Sequence, residues 1–275
     1  MKTGVNTFGL GAALKRDARG TWQGLYDGGI RYIEPSIAIE WDPLVSQTDA
    51  EKERGRLCGV FPMETGAETV EYLRSLGFDV ISFHLQTSNL TLENLQKTVE
   101  FMEKANVHYC IFSLMEQKIA DVQPKEEVIR AGVKLFREHG LEFLLHNHNM
   151  EWTPDGDTCV MRWLIETITE MYFEVDLGWA EYAGVSSLEV LNSYPGRFPI
   201  LHLKDIAAGT EAWGPNPFCV APGDGILPLT EILEWVDAQA EKPELVIDLD
   251  DSIKGDIVKD IAKGVERIEA FFAGK

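Results

Sequence analysis

Basic residues are scarce in this chain: 25 lysines and arginines stand against 45 aspartates and glutamates, a formal net charge of -20 over 275 residues. A nucleic-acid binder carries a basic footprint, and docking on an anionic membrane surface needs cations, so neither partner is expected. The acidity reads instead as a solvated exterior. Only four cysteines occur, Cys58, Cys110, Cys159 and Cys219, widely spaced and without a CxxC pair. Scattered thiols fit a reducing compartment, and Cys110, inside an apolar run, reads as a small core residue. No apolar stretch approaches membrane-spanning length, and no basic and apolar leader opens the chain. The expected location is the cytoplasm.

Two glycine-rich signatures are also missing. After the first strand the chain reads Gly4-Val-Asn-Thr-Phe-Gly-Leu-Gly-Ala12, which lacks the GxGxxG spacing of a dinucleotide fold. Pro222-Gly-Asp-Gly225 lacks the lysine and the length of a phosphate-binding loop. There is no internal repeat beyond a strand–helix alternation and no low-complexity tract.

What is present is an ordinary globular balance, 45% apolar and 25% charged. Eight strand-like runs lie near Thr3–Thr7, Tyr32–Ser36, Asp79–Leu85, His108–Leu114, Leu141–His148, Tyr172–Asp176, Ile200–Asp205 and Glu244–Asp250. Helical periodicity marks Thr65–Leu76, Asn94–Ala105, Glu126–His139, Thr158–Glu170, Ser187–Tyr194, Leu229–Ala238 and Lys254–Phe272. The interval Ala38–Phe61 is less regular and reads partly as loop. Alternation of this kind, with no hydrophilic linker, predicts an α/β fold: one (β/α)8 TIM barrel over residues 1–275. The rival, an open doubly wound sheet, lacks its fingerprint.

Catalytic side chains of such barrels sit at the C-terminal ends of the strands, and here those ends carry ligand-type residues. The run Leu141-Glu-Phe-Leu-Leu-His-Asn-His-Asn-Met-Glu151 leads an apolar strand into His146 and His148, with Glu151 beyond. Side chains alternate along a strand, so Glu174 pairs with Asp176, His202 with Lys204, and Asp248 with Asp250 on one face each. Of Glu174 and Asp176, one reads as a ligand and the other as a structural neighbour. Asp248 or Asp250 reads as an oxygen ligand, with the other gripping substrate. Each residue alone has a plainer reading, a satisfied core histidine or a carboxylate capping a turn. Four strand ends together favour one site.

Imidazole and carboxylate ligands suit zinc, manganese, iron or cobalt better than calcium. Such an ion acts as a Lewis acid on a carbonyl or hydroxyl oxygen while histidine or lysine moves protons. His146, His148 and Asp248 are candidate bases, and Lys204 is a candidate proton carrier. Glu34 and His84, ending the second and third strands, are candidates for the pocket floor. Trp152, Trp179 and Trp213 fall in loops after later strands; Trp179 and Trp213, with Asp250, are candidate substrate contacts, since indole faces stack on sugar rings.

Five pieces, HNHNMEW (146–152), EVDLGWAEYAG (174–184), YPGRFPILHLKDI (194–206), PGDGILPL (222–229) and LVIDLD (245–250), resemble the sugar phosphate isomerase/epimerase group of xylose isomerase-like barrels. That group also includes inosose dehydratases and endonuclease IV. The likeness covers most of the chain and is best from residue 141 onward. It implies a divalent ion held by one acidic residue on or after strand five, by Asp176, by His202, and by an acidic residue on strand eight. It also implies a polyol, keto-sugar or sugar-derived substrate.

Two departures matter. The epimerase branch carries a glutamate inside strand five, where this chain has Leu144, Leu145 and His146, so Glu151 or a histidine must supply the ligand. The final glutamate is replaced by Asp248, one methylene shorter. In the epimerases those two glutamates exchange a proton across the substrate, a mechanism this chain cannot simply inherit.

The expected metal set is therefore Glu151, Asp176, His202 and Asp248, holding manganese, zinc, cobalt, iron or magnesium, among which the sequence does not choose. The expected activity is isomerisation or epimerisation of a keto-sugar or derivative through an enediolate. The alternative is a metal-dependent lyase on the same site. Phosphodiester hydrolysis of the endonuclease IV type is disfavoured by six histidines and the acidic charge. A non-catalytic binding barrel is the third class. Self-association into a homo-oligomer is left open.

Overall fold

A computed structural model describes residues 2–39, 58–87, 89–212, 214 and 216–274. Trp213 and most of the interval 38–61 lie outside the described residues. The strands are β1 (Thr3–Asn6), β2 (Ile30–Glu34), β3 (Ser36–Ala38), β4 (Val60–Pro62), β5 (Ser82–Gln86), β6 (Tyr109–Ser113), β7 (Glu142–His146), β8 (Pro154–Asp155), β9 (Thr158–Cys159), β10 (Tyr172–Asp176), β11 (Ile200–Leu203) and β12 (Glu244–Ile247). β8 and β9 form a small antiparallel ribbon. The others make one sheet in the order β2-β1-β12-β11-β10-β7-β6-β5-β3-β4.

The pairings in that sheet are parallel, and its ends meet. β2 and β3 are two halves of one stave, separated by Pro35, whose missing N–H cannot serve a ladder. On the far side of β2, Ile33 N donates to Asp79 O and Asp79 N to Arg31 O, each at 2.9 Å. His84 N then donates to Pro35 O at 2.9 Å and the ladder passes to β3 and β5. The staves β1, β2–β3, β5, β6, β7, β10, β11 and β12 thus close an eight-stave α/β barrel.

Alternation along the staves sorts their side chains into two cores. Outward residues such as Phe112, Phe143, Phe173, Leu201 and Ile247 pack under the helices. Phe112 and Phe143 stack with centroids 4.2 Å apart. Inward residues Tyr32, Ile111, Leu144, Ile200 and Val246 plug the lower barrel. Tyr32 crosses the interior to donate its hydroxyl to Leu245 O at 2.7 Å. It fits because residue 4 is glycine: a Cβ there would lie 2.0 Å from the Tyr32 ring. Leu144 belongs to this apolar plug.

Helices Gly66–Ser75, Leu92–Ala105, Glu126–Glu138, Val160–Thr167, Ser187–Ser193, Leu229–Ala238 and Ile257–Ala273 fall where periodicity predicts them. Thr91 caps one, its hydroxyl accepting from Asn94 N at 3.2 Å. Helix Gly11–Asp27 was not predicted. Gly11, Gly20 and Gly24 weaken its intrinsic propensity, and Asp17 interrupts it with non-helical angles. Burial of Ala13, Thr21, Trp22 and Leu25 supports it regardless. No helix among the described residues is long and apolar enough to cross a membrane.

Candidate metal centre

Above the apolar plug, the same inward register continues with polar side chains. Glu34, His84, His146, Glu174 and His202 occupy the next positions, and Asp176, Lys204, Asp248 and Asp250 lie beyond, at the strand ends. All nine are buried.

Two cross-strand contacts and a helix cap set the upper part of the site. Asn147 Nδ2 donates to Asp176 O and Asp176 N donates to Asn147 Oδ1, each at 3.0 Å. This reciprocal pair clamps the ends of β7 and β10 together. Asp176 also caps the helix Leu177–Tyr182: Oδ1 accepts from Trp179 N at 2.8 Å. Its other oxygen, Oδ2, has no hydrogen-bond partner among the described residues. The helix presses on β11 so closely that a Cβ on Gly178 would sit 2.1 Å from Lys204 O. The capping and ligand readings of Asp176 therefore coexist, one oxygen each.

Donor atoms of His146, Asp176, His202 and Asp248 all lie within 4.8 Å of one another. Asp248 Oδ2 is 3.3 Å from His202 Nδ1 and 3.1 Å from Lys204 Nζ, while Asp248 Oδ1 is unpartnered. Two bare carboxylate oxygens buried beside two imidazoles make a donor set that could hold a divalent ion. Burial pushes Asp176 up to about 8, against the nearby Lys204 ammonium. A buried carboxylate without a cation keeps its proton. Burial also opposes charge on Asp248, but Lys204 and His202 overcome it and hold that carboxyl well below its usual range.

Lys204 Nζ donates to Asp250 Oδ2 at 2.8 Å and lies 5.5 Å from the centre of the Trp179 ring. Burial would discharge it, yet Asp248, Asp250 and Asp176 keep the ammonium charged. His148 is half-buried next to Trp179, ring centroids 6.0 Å apart, and burial lowers it to about 4, so it is uncharged near neutrality.

Below this group, Glu174 Oε2 is 3.0 Å from His146 Nδ1, 3.1 Å from His202 Nε2 and 3.2 Å from His84 Nε2. Glu34 Oε1 is 3.0 Å from His202 Nε2 and accepts from Asn6 Nδ2 at 2.8 Å; Ser82 Oγ donates to Glu34 Oε2 at 2.7 Å.

Several expectations need restating against this geometry. Glu151 does not join the ligand group. Its oxygens accept from His148 N at 2.8 Å and Glu116 N at 3.1 Å, and they are not among the donor atoms that meet. His146 stands in its place, the histidine alternative to Glu151. Trp179 is only 1% exposed and Trp152 likewise, so neither indole faces an open cleft. Trp213 lies outside the described residues. Glu34 and His84 lie in the buried layer with His202 and Glu174. Glu174, the partner left open beside Asp176, meets three imidazoles through one oxygen; only its alternation with Asp176 signalled it.

No protein-family model and no curated protein sequence matches the chain. Solved structures do. A sugar phosphate isomerase/epimerase from Parabacteroides distasonis is 18% identical, with a TM-score of 0.69 over 98% of this chain and 96% of that one. A probable 3-DHS dehydratase from Bacillus anthracis is 16% identical, with a TM-score of 0.66 over 97% and 99%. A xylose isomerase-like TIM barrel protein from Mycobacterium smegmatis, solved in complex with magnesium, is 13% identical, with a TM-score of 0.66 over 98% and 96%. This chain has the xylose isomerase-like TIM-barrel fold. At these identities the likeness speaks for the barrel; activity has to be argued from the site.

Proposed function

We propose that this xylose isomerase-like barrel is a divalent-metal-dependent enzyme that isomerises or epimerises a keto-sugar or sugar derivative through an enediolate. The observation that carries the reading is the meeting of His146, Asp176, His202 and Asp248 from four neighbouring staves, with two of the carboxylate oxygens bare. Those four residues would hold the ion, and Glu151 is not among them. Manganese, zinc, cobalt, iron and magnesium all accept such ligands, and the magnesium-bound neighbour and the isomerase/epimerase neighbour support the assignment. When bound, the ion supplies Lewis acidity to a substrate carbonyl and its neighbouring oxygen.

The protein's own groups divide the remaining work. His148, uncharged near neutrality, takes the proton from the carbon next to the carbonyl. Lys204, fixed by Asp250 and Asp248, keeps a cation where negative charge develops on the substrate oxygens. Return of the proton to a different carbon or face completes isomerisation or epimerisation.

Elimination on the same site is the second reading. It is favoured by the end of β7, where His146 stands and no glutamate is present to face Asp248 across the substrate. The dehydratase neighbour is compatible with it. One experiment tests both: a panel of keto-sugars is incubated with metal-loaded enzyme in heavy water. Deuterium at the α-carbon with recovery of a sugar isomer supports the first reading; loss of a β-substituent to an unsaturated product supports the second. No exchange with any member, while His148→Ala and wild type behave alike, counts against an enediolate enzyme.

A further inference from the structure

The layer beneath the proposed ion holds more ionisable groups than a floor needs. Glu174 places one oxygen, Oε2, 3.0 Å from His146 Nδ1, 3.1 Å from His202 Nε2 and 3.2 Å from His84 Nε2. Glu34 Oε1 is a second acceptor for the same His202 nitrogen, at 3.0 Å. Each of the two ligand-type imidazoles therefore points one ring nitrogen down at a carboxylate. Its other nitrogen is the only one left for the group above.

A second ion in this lower layer is the competing reading. An ion held by His84, His146 and Glu174 would need His146 Nδ1, and one held by Glu34, Glu174 and His202 would need His202 Nε2, while the upper ion used the opposite nitrogen of the same ring. The shared ring would then have to lose both protons and bridge two metals as an imidazolate. Neutral imidazole is the usual ligand form, and an imidazole ligand commonly donates its second N–H to a carboxylate. The geometry matches that second pattern.

We infer that Glu174 is a positioning residue of the metal centre: it accepts the Nδ1–H of His146 and, with Glu34, the Nε2–H of His202, which turns His146 Nε2 and His202 Nδ1 towards the ion. His202 Nδ1 lies 3.3 Å from Asp248 Oδ2, so this nitrogen faces the upper group. The inference deepens the metal-dependent reading above and rests on it. Glu174 Oε2 is crowded by three ring nitrogens, while Glu174 Oε1, like one oxygen each of Asp176 and Asp248, has no hydrogen-bond partner among the described residues. Glu174 touches no substrate in this arrangement; it acts through the two rings, fixing which nitrogen carries the lone pair.

Two measurements test it. In wild-type protein labelled with 15N-histidine, two-bond proton–nitrogen correlations read the His146 tautomer in the metal-free state, with His146→Gln assigning the signal. The expected result is the Nδ1–H form; the Nε2–H form overturns the inference. In parallel, Co2+ is titrated into wild type, Glu174→Gln and His84→Gln, following the visible ligand-field bands. Glu174→Gln is expected to weaken Co2+ roughly 10- to 100-fold, the range for a lost carboxylate behind a histidine ligand, and to alter the bands. His84→Gln is expected to change neither by as much. Glu174→Gln with wild-type affinity and bands overturns the inference. Should that variant not fold, the wild-type tautomer alone decides. The two failures separate cleanly. Wild type that binds no Co2+ but shows the Nδ1–H form refutes the metal centre and leaves the orienting contact; Co2+ binding with the Nε2–H form does the reverse.

Discussion

Lys204 Nζ lies 3.1 Å from Asp248 Oδ2, on the same oxygen that His202 Nδ1 approaches at 3.3 Å. One buried carboxylate thus joins an ammonium, an imidazole and, through its free oxygen, the proposed ion. Replacing Lys204 with methionine keeps the side chain's bulk and removes the charge. Asp248 and Asp250 then lose their buried counter-charge, and removal of one partner of such a pair costs roughly 3–5 kcal/mol. Denaturant unfolding of the metal-free protein is expected to show a loss of that order; an unchanged midpoint would mean the contact carries no stability.

His202→Ala removes the residue that touches both layers of the site. Metal content of the purified variant is expected to fall to background, with affinity lowered by more than the ~100-fold of an indirect neighbour. Elemental analysis after dialysis checks this. Full retention of metal by the variant takes His202 out of the centre.

Asp176 makes metal binding pH-dependent. Burial raises it to about 8, so below that pH a proton sits where the ion must bind. Affinity is expected to rise by up to about tenfold per pH unit towards 8 and then to level off. The metal-free fold moves the opposite way: a raised acid contributes stability below the ordinary carboxylate range and loses it as pH climbs through about 8. Asp176→Asn is expected to abolish both the binding and this part of the stability slope. Co2+ titrations and unfolding curves across that range provide the comparison.

Glu151 offers a test away from the ligands. Burial outweighs the backbone amides that cradle it and lifts it to about 7. The sign is the same: stability is fullest below pH 4.5, the ordinary value, and declines as pH rises through about 7. That decline is of the order of 3 kcal/mol at its limit. The difference in unfolding free energy between wild type and Glu151→Gln is expected to shrink over this interval, and a flat difference rules the assignment out.

Period-two alternation makes the barrel legible in the sequence, and Asp176, His202 and Asp248, expected to converge, do meet at one end of it. His146, Asp176, His202 and Asp248 each end an apolar run, and in a closed barrel those ends converge. The lower layer was less legible. Glu34, His84 and Glu174 meet across staves far apart in the chain, and no local pattern says that one glutamate serves three rings. Glu151 lies outside the group of donor atoms that meet, and the sequence does not reveal it for a similar reason. Its partners are backbone amides at 116 and 148, and a backbone donor leaves no mark on residue type. Helix Gly11–Asp27 escaped because its glycines speak against a helix that only tertiary packing on its neighbours sustains.

The missing side chain at Gly178 has a reach beyond its own turn. It lets the chain double back from Asp176 onto the carbonyl of Lys204, locking together the two staves that carry the acid and the ammonium. Loops around the mouth are free to diverge as substrates change, but this hinge of contact is not: even an alanine there would wedge the two halves of the chemistry apart. A descendant of this barrel that abandons glycine at 178 should be expected to have abandoned the reaction as well.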